Sequence, residues 1–173
     1  MIALARLGGP FGLWGIGGVI AVLGYAIFRL WPVAVEALSG VLGPLEWSGL
    51  AGSVGGLWYY EGVRAFQRAF SPRVIARAAT LSAPAPMLRK LLAPAFCMGL
   101  IDATKKRMIV SWVTVSGVAL LVIGVRMLPQ PWRGIVDAGV IVALAWGSLA
   151  MFTFAVRAAQ GRAMPVPADL PPA

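Results

Sequence analysis

The chain contains three uncharged apolar runs that are each long enough to cross the hydrocarbon core of a lipid bilayer. They extend from Leu7 to Phe28 (22 residues), from Met108 to Val125 (18 residues) and from Ala138 to Val156 (19 residues). A transmembrane helix needs about 20 predominantly apolar residues. These runs predict an all-α integral membrane protein.

A shorter run suggests one more crossing. Trp47 to Tyr60 gives 14 uncharged residues, and its helix crosses only if it continues past Glu61 with Arg64 snorkelling toward the headgroups. A re-entrant or interfacial segment is the alternative. We expect a compact bundle of four transmembrane helices, with amphipathic interfacial helices between the second and the third. The expected spans are about residues 7–30, 46–66, 107–127 and 134–157.

The composition excludes several classes of protein. Hydrophobic residues make up 60% of the chain and charged residues only 12%, whereas soluble domains carry about a quarter charged residues. The chain has no histidine, which removes histidine-ligated metals and haem and every Ser-His or Cys-His nucleophile. A single cysteine, Cys97, allows no internal disulfide. We therefore expect no catalytic residues, no metal and no cofactor.

The basic residues predict the orientation of the chain. The net charge is +9, and twelve basic residues flank one set of span ends, against three at the other. This bias favours both termini and the central segment on the cytoplasmic side of a bacterial inner membrane. Nine of the twelve lie between spans two and three: Arg64, Arg68, Arg73, Arg77, Arg89, Lys90, Lys105, Lys106 and Arg107.

The central segment, residues 67–106, reads as interfacial. Arg64 and Arg68 are four apart and share a helix face, and Ser71 and Pro72 suit the N-cap and first position of a new helix. Anionic lipid headgroups are the expected partner, with orientation alone as the alternative, and no nucleic-acid motif accompanies the charges. The predicted headgroup-binding residues are Arg64, Arg68, Arg73, Arg77, Arg89 and Lys90.

Few acids lie close to the spans. Glu61 with Arg64 and Asp137 with Arg133 are predicted to be ion pairs near helix ends, and a proton or substrate site is the alternative. Small residues spaced four apart predict close helix packing. They occur as Gly52 and Gly56 in span two and as Gly139, Ala143 and Gly147 in span four.

The C-terminal residues form a proline-rich stretch. Residues 164–173 contain four prolines, which predicts an extended, flexible tail after a single membrane domain of residues 1–163.

Together these patterns favour a non-enzymatic inner-membrane protein. It would be a lipid-interacting accessory or structural subunit of a membrane complex, with anionic lipids and a protein subunit as partners and no nucleic acid. The alternative is a small transporter or lipid-handling protein with a polar cavity between helices, lined by Glu61, Arg64 and span hydroxyls. An enzyme ranks third.

Three stretches resemble a known group of proteins. They read YYEGVRAFQRAFSPRVIARA, LLAPAFCMGL and LPQPWRGIVDAGV. Together they resemble an uncharacterised family of small multi-pass bacterial inner-membrane proteins, over roughly residues 8 to 155. The resemblance implies an integral membrane location and supplies no catalytic residues.

Overall fold

The computed structural model describes residues 2–82 and 86–171, and no strand occurs among them. The prediction of an all-α chain is therefore confirmed for these residues. The central segment is described except at residues 83–85. The helices are α1 (Ile2–Arg6), α2 (Gly9–Ser39), α3 (Pro44–Leu57), a π-helix (Trp58–Phe70), α4 (Ser71–Ala79), a short 3-10 helix (Thr80–Ser82), α5 (Met87–Leu91), α6 (Ala93–Cys97), α7 (Lys105–Arg126) and α8 (Trp132–Ala159).

Three helices, α2, α7 and α8, are long and apolar enough to cross a membrane. They contain the three uncharged runs. The predicted second span is not among them, because regular α-helical hydrogen bonding in α3 ends at Leu57 after 14 residues. The chain then continues for 13 residues in the wider turns of the π-helix.

The π-helix passes directly into α4, which begins at Ser71 with Pro72 in its first turn, as predicted, but Ser71 is not the N-cap. The Ser71 backbone N–H donates to the carbonyl oxygen of Phe66, five residues back, and Pro72, which has no N–H, follows where the turns tighten. The Ser71 hydroxyl caps no helix end. It is buried and donates to the carbonyl oxygen of Gly147 over 3.1 Å.

Small residues of α8 allow its close contacts, as the stripe predicts. A Cβ atom at Gly139 would lie 2.8 Å from the carbonyl oxygen of Ser53, and one at Gly147 would lie 2.6 Å from the ring of Phe66. The small residues predicted to pack in α3 form no such close contact within the described part of this chain. A Cβ atom at Gly52 or Gly56 would meet no atom within 4 Å.

Helix α7 stands apart, so the compact four-helix bundle is not formed within this chain as described. Ser111 is the only buried residue of α7. Its first turns are held by two hydrogen bonds, from the Ser111 hydroxyl to Met98 and from the Trp112 indole to Leu100. Its glycines approach nothing, because a Cβ atom at Gly117 or Gly124 would have no neighbour within 4 Å. The helices that pack closely on one another are α2, α8 and the continuous stretch from α3 to α4, with the short α6 against α2 and α4.

The two ends of the packed helices differ in what lies there. At one end, which we call the basic end, Arg6 donates to the carbonyl oxygen of Ala159 over 3.2 Å, and Gly8 lies against the carbonyl of Ala78. At the opposite end, the Gln130 side chain donates to Val33 over 3.3 Å. The start of α2 and the end of α8 therefore meet at the basic end.

The main apolar core also lies toward the basic end, where α2, α4, α6 and α8 meet. Its buried members include Val19, Ile75, Phe96 and Met151. This core fixes the positions of the basic side chains around it.

Candidate anion-binding surface

Arg77 lies at the centre of the basic end, and it is fully buried at 0% exposure. Its guanidinium lies over the Phe96 ring, 4.2 Å from the ring centroid. All three of its nitrogens donate to backbone carbonyl oxygens. The acceptors are Phe96 (2.6 Å, from Nε), Ala168 (2.8 Å) and Asp169 (3.4 Å, both from Nη1), and Ile101 (2.9 Å) and Asp102 (3.0 Å, both from Nη2).

This geometry corrects the prediction that Arg77 binds headgroups. A guanidinium whose donors are already used and whose surface is covered offers nothing to an external anion. Burial lowers the pKa of Arg77 to about 10, with a smaller effect in the same direction from Arg107. Arg77 acts instead as a structural centre that joins α4, α6, the loop before α7 and the tail.

The C-terminal tail packs against Arg77 and the residues around it. Residues 164–171 contain no helix, and Met164 packs against the main core. The backbone N–H of Thr104 donates to the carbonyl oxygen of Asp169 over 3.0 Å, and Arg77 binds the two carbonyls named above. The tail thus folds back over the basic end. Its flexibility stays a prediction.

Two of the predicted headgroup-binding arginines meet carboxylates of the same chain. The Arg73 Nε atom lies 2.9 Å from Oδ2 of Asp169, and the Arg89 Nε atom lies 2.7 Å from Oδ2 of Asp102. The N-cap of α7 is Thr104. A lipid headgroup that binds Arg73 or Arg89 would therefore have to displace the carboxylate of Asp169 or Asp102.

The other predicted residues are more open. Arg64 and Arg68 are exposed, and neither forms an ion pair within the described part of the chain. Arg64 lies over the ring of Tyr60, with 6.0 Å to the centroid. Lys90 is half-buried and lies 5.1 Å from the ring centroid of Phe11. Arg64 and Arg68 are therefore the most accessible cationic pair of the predicted set.

The predicted pair Glu61–Arg64 is not formed, since no such contact within 4.0 Å occurs among residues 2–82 and 86–171. The cause is the π-helix. Its hydrogen bonds connect residues five apart, so its wider turns place residues three apart on different faces. Arg64 instead meets Tyr60, four residues earlier.

The pair Asp137–Arg133 is not formed either within those described ranges. Asp137 is 4% exposed and Arg133 is half-buried. The Arg133 Nε atom is buried and has no hydrogen-bond partner.

Two surface grooves of the described chain are lined by other residues than Glu61, Arg64 and Asp137. An open groove of about 380 Å³ lies at the basic end between Arg6, Ile75 and Ala158. Another lies on α7 around Trp112. Three hydroxyls within the long helices, those of Thr114, Ser148 and Thr153, each donate to a carbonyl oxygen of their own helix.

Sequence reasoning missed Asp169 and Thr104 as parts of this surface. One signal could have indicated Asp169. The chain has only six acids, and an acid in a proline-rich tail beside a strongly basic segment attracts an arginine across the fold. Which arginine it meets could not be read from spacing, because 96 residues separate the partners Arg73 and Asp169.

Comparison with known proteins gives no relative: no protein-family model, no curated protein and no solved structure matches the chain. The resemblance to a family of small inner-membrane proteins therefore stays a prediction.

Proposed function

We propose that this protein is a non-enzymatic, integral membrane accessory subunit of the bacterial inner membrane that binds anionic lipid headgroups through Arg64 and Arg68. The observation that carries the proposal is the exposure of these two arginines, four residues apart, with no carboxylate partner in the described chain. Each basic side chain near an anionic leaflet contributes about 1 kcal/mol to binding.

A fourth crossing, formed by α3 and the π-helix, belongs to the proposal. Helices α2, α7 and α8 provide three apolar columns, yet the start of α2 and the end of α8 meet through Arg6 and Ala159. An odd number of crossings would put those ends on opposite sides. Contacts at both ends support the fourth column, because Gly49 packs on Trp132 and Ala78 lies beside Gly8.

The depth of the arginines follows from their packing. Gly62 packs against Trp146, near the middle of α8, and Phe66 packs against Gly147. Arg68 follows Arg64 by about one turn along the π-helix, which continues into α4. Arg64 must snorkel further to reach inner headgroups, so Arg68 is expected to contribute more to lipid binding.

The orientation follows from charge. Both termini and the basic end are placed in the cytoplasm, because basic residues near span ends stay on that side. Tags at the N-terminus, in the loop before α7 and at the C-terminus should all report the cytoplasm. A tag between α7 and α8 should report the opposite side.

The function is tested by native mass spectrometry of the protein released from membranes that contain phosphatidylglycerol. Replacing both arginines (R64E and R68E) should reduce retained anionic lipid by about tenfold or more, with the single change R68E giving the larger share. The matched control is R29E with R126E, which reverses two exposed arginines elsewhere on the chain. Equal lipid retention by the two double variants would contradict the proposal.

A further inference from the structure

The carboxylate of Asp169, in the tail, lies among arginine side chains of the basic end. Arg73 lies 2.9 Å from it, with side chains of both residues mostly covered at 19% and 26% exposure. Arg107 also interacts electrostatically with both Asp169 and Arg73. Thr104 joins the backbones of the two residues Asp169 and Arg107, since its N–H donates to the carbonyl oxygen of Asp169 and its hydroxyl accepts from the backbone N–H of Arg107.

The Asp169 carboxylate does not satisfy all the arginine donors near it. The Nε atoms of Arg73 and Arg107 are both buried, and neither has an aligned hydrogen-bond acceptor. For Arg73 the ion pair is close, yet its N–H does not point at the carboxylate oxygen. Buried donors without acceptors are rare in folded proteins. One of these two donors belongs to the arginine that pairs with Asp169, and both are available to a different acceptor.

The backbone of Asp169 is held in place at the basic end. Its carbonyl accepts from Thr104 and Arg77. Its φ angle of 50° lies in the left-handed region that residues other than glycine seldom adopt. These constraints fix the direction in which the side chain leaves the backbone, and the carboxylate pairs with Arg73 from there.

We propose that Arg73 and Arg107 form a second anion site, which takes a phosphate group and which Asp169 masks. A phosphate group presents several oxygens in a tetrahedron, and arginine binds it through charge-assisted hydrogen bonds. The phosphate displaces Asp169 and releases the tail from the basic end. The site lies apart from Arg64 and Arg68. It rests on the proposed function only where the phosphate belongs to a lipid.

The central variant is D169N, which removes the masking charge and keeps the shape of the side chain. In nanodiscs with and without phosphatidylglycerol, it should retain about fivefold more anionic lipid than the wild type, the effect of one charge near an anionic leaflet. The matched control, E36Q, makes the same change of net charge at an exposed position of α2 and should leave retention unchanged.

A second variant links the gain to the site. Adding R73Q to D169N should return lipid retention to the wild-type level or below. Hydrogen exchange of residues 163–171 should speed up in wild-type protein when phosphatidylglycerol is added, because the tail leaves its seat. A gain with D169N that survives R73Q, or that E36Q also produces, overturns the masked site.

Inorganic phosphate identifies the source of the anion. It is added to detergent-solubilised D169N at matched ionic strength, with chloride as reference, and Tm is measured. If phosphate raises the Tm of D169N and D169N retains no more anionic lipid than the wild type, the ligand is a free phosphate compound. A lipid gain without a phosphate effect indicates a headgroup. If D169N shows no lipid gain and phosphate does not raise its Tm, the proposal is overturned.

The outcomes separate this inference from the proposed function. If R64E with R68E loses lipid while D169N shows neither a lipid gain nor a rise in Tm with phosphate, the function stands and the masked site falls. If D169N gains lipid while R64E with R68E loses none, the masked site stands and the role of Arg64 and Arg68 falls.

Discussion

Arg77 Nε donates to the carbonyl oxygen of Phe96 over 2.6 Å while the same guanidinium covers the Phe96 ring at 4.2 Å. One side chain of α4 thus fixes both the backbone and the ring of a residue in α6, 19 positions away. Because the remaining donors hold the loop before α7 and the tail, the basic end depends on this one planar group.

The change Arg77→Lys tests that dependence. A lysine has three donors on a single nitrogen and cannot reach carbonyls in several directions at once. Breaking a buried, hydrogen-bonded network of this kind destabilises by about 3 kcal/mol or more. Thermal unfolding in detergent should show a lower Tm, and residues 163–171 should be cleaved faster by protease.

The matched change is Arg68→Lys, on an exposed side chain of the π-helix. It should alter stability by less than about 0.5 kcal/mol. Equal losses in the two variants would mean that Arg77 has no special structural role.

The sequence predicts the helical class, the three long apolar helices and one packed face, because those signals are local. Uncharged runs locate α2, α7 and α8, and the stripe that includes Gly139 and Gly147 marks a closely packed face of α8. These features depend on hydropathy and on residues four apart, both of which can be read along one helix.

The candidate surface is less predictable, because its partners are far apart in sequence. An arginine pattern looks the same whether its members face lipid, as proposed for Arg68, or are buried like Arg77. The π-helix adds a second difficulty. Counting Glu61 and Arg64 as neighbours assumes regular α-helical turns, which the chain abandons at Trp58.

The change Gly139→Ala tests the close approach of α8 to α3. The added methyl would lie 2.4 Å from the Ser53 hydroxyl oxygen and 2.8 Å from its carbonyl oxygen. Since a backbone atom cannot move aside without shifting the helix, we expect a loss of about 1 to 3 kcal/mol, measured by unfolding in mixed detergent.

Gly117→Ala in α7 makes the same chemical change where nothing lies within 4 Å. It should leave the stability of the wild type unchanged or raise it slightly, because alanine favours the helix more than glycine does. Should G117A destabilise the protein as much as G139A does, the packing of α8 described above would be incorrect.

The reactivity of Cys97 tests how well the basic end is buried. Cys97 is 1% exposed. Burial raises the pKa of its thiol from 9.0 to about 12, against a smaller opposing effect of Arg77. At pH 8 the thiolate fraction is therefore roughly 10³-fold below that of an ordinary cysteine. Alkylation by iodoacetamide should be slower by at least that factor in native protein and fast after denaturation.

Stability should also depend on pH through this group. Its folded pKa lies above its unfolded pKa, so the unfolded chain loses the proton first as pH rises past 9.0. The free energy of unfolding should then fall by up to about 1.4 kcal/mol per pH unit. The fall should be visible between pH 9 and 10, where the unfolded thiol ionises. The variant C97A should lack the fall in this interval, and an identical pH dependence in C97A and wild type would contradict the burial of the thiol.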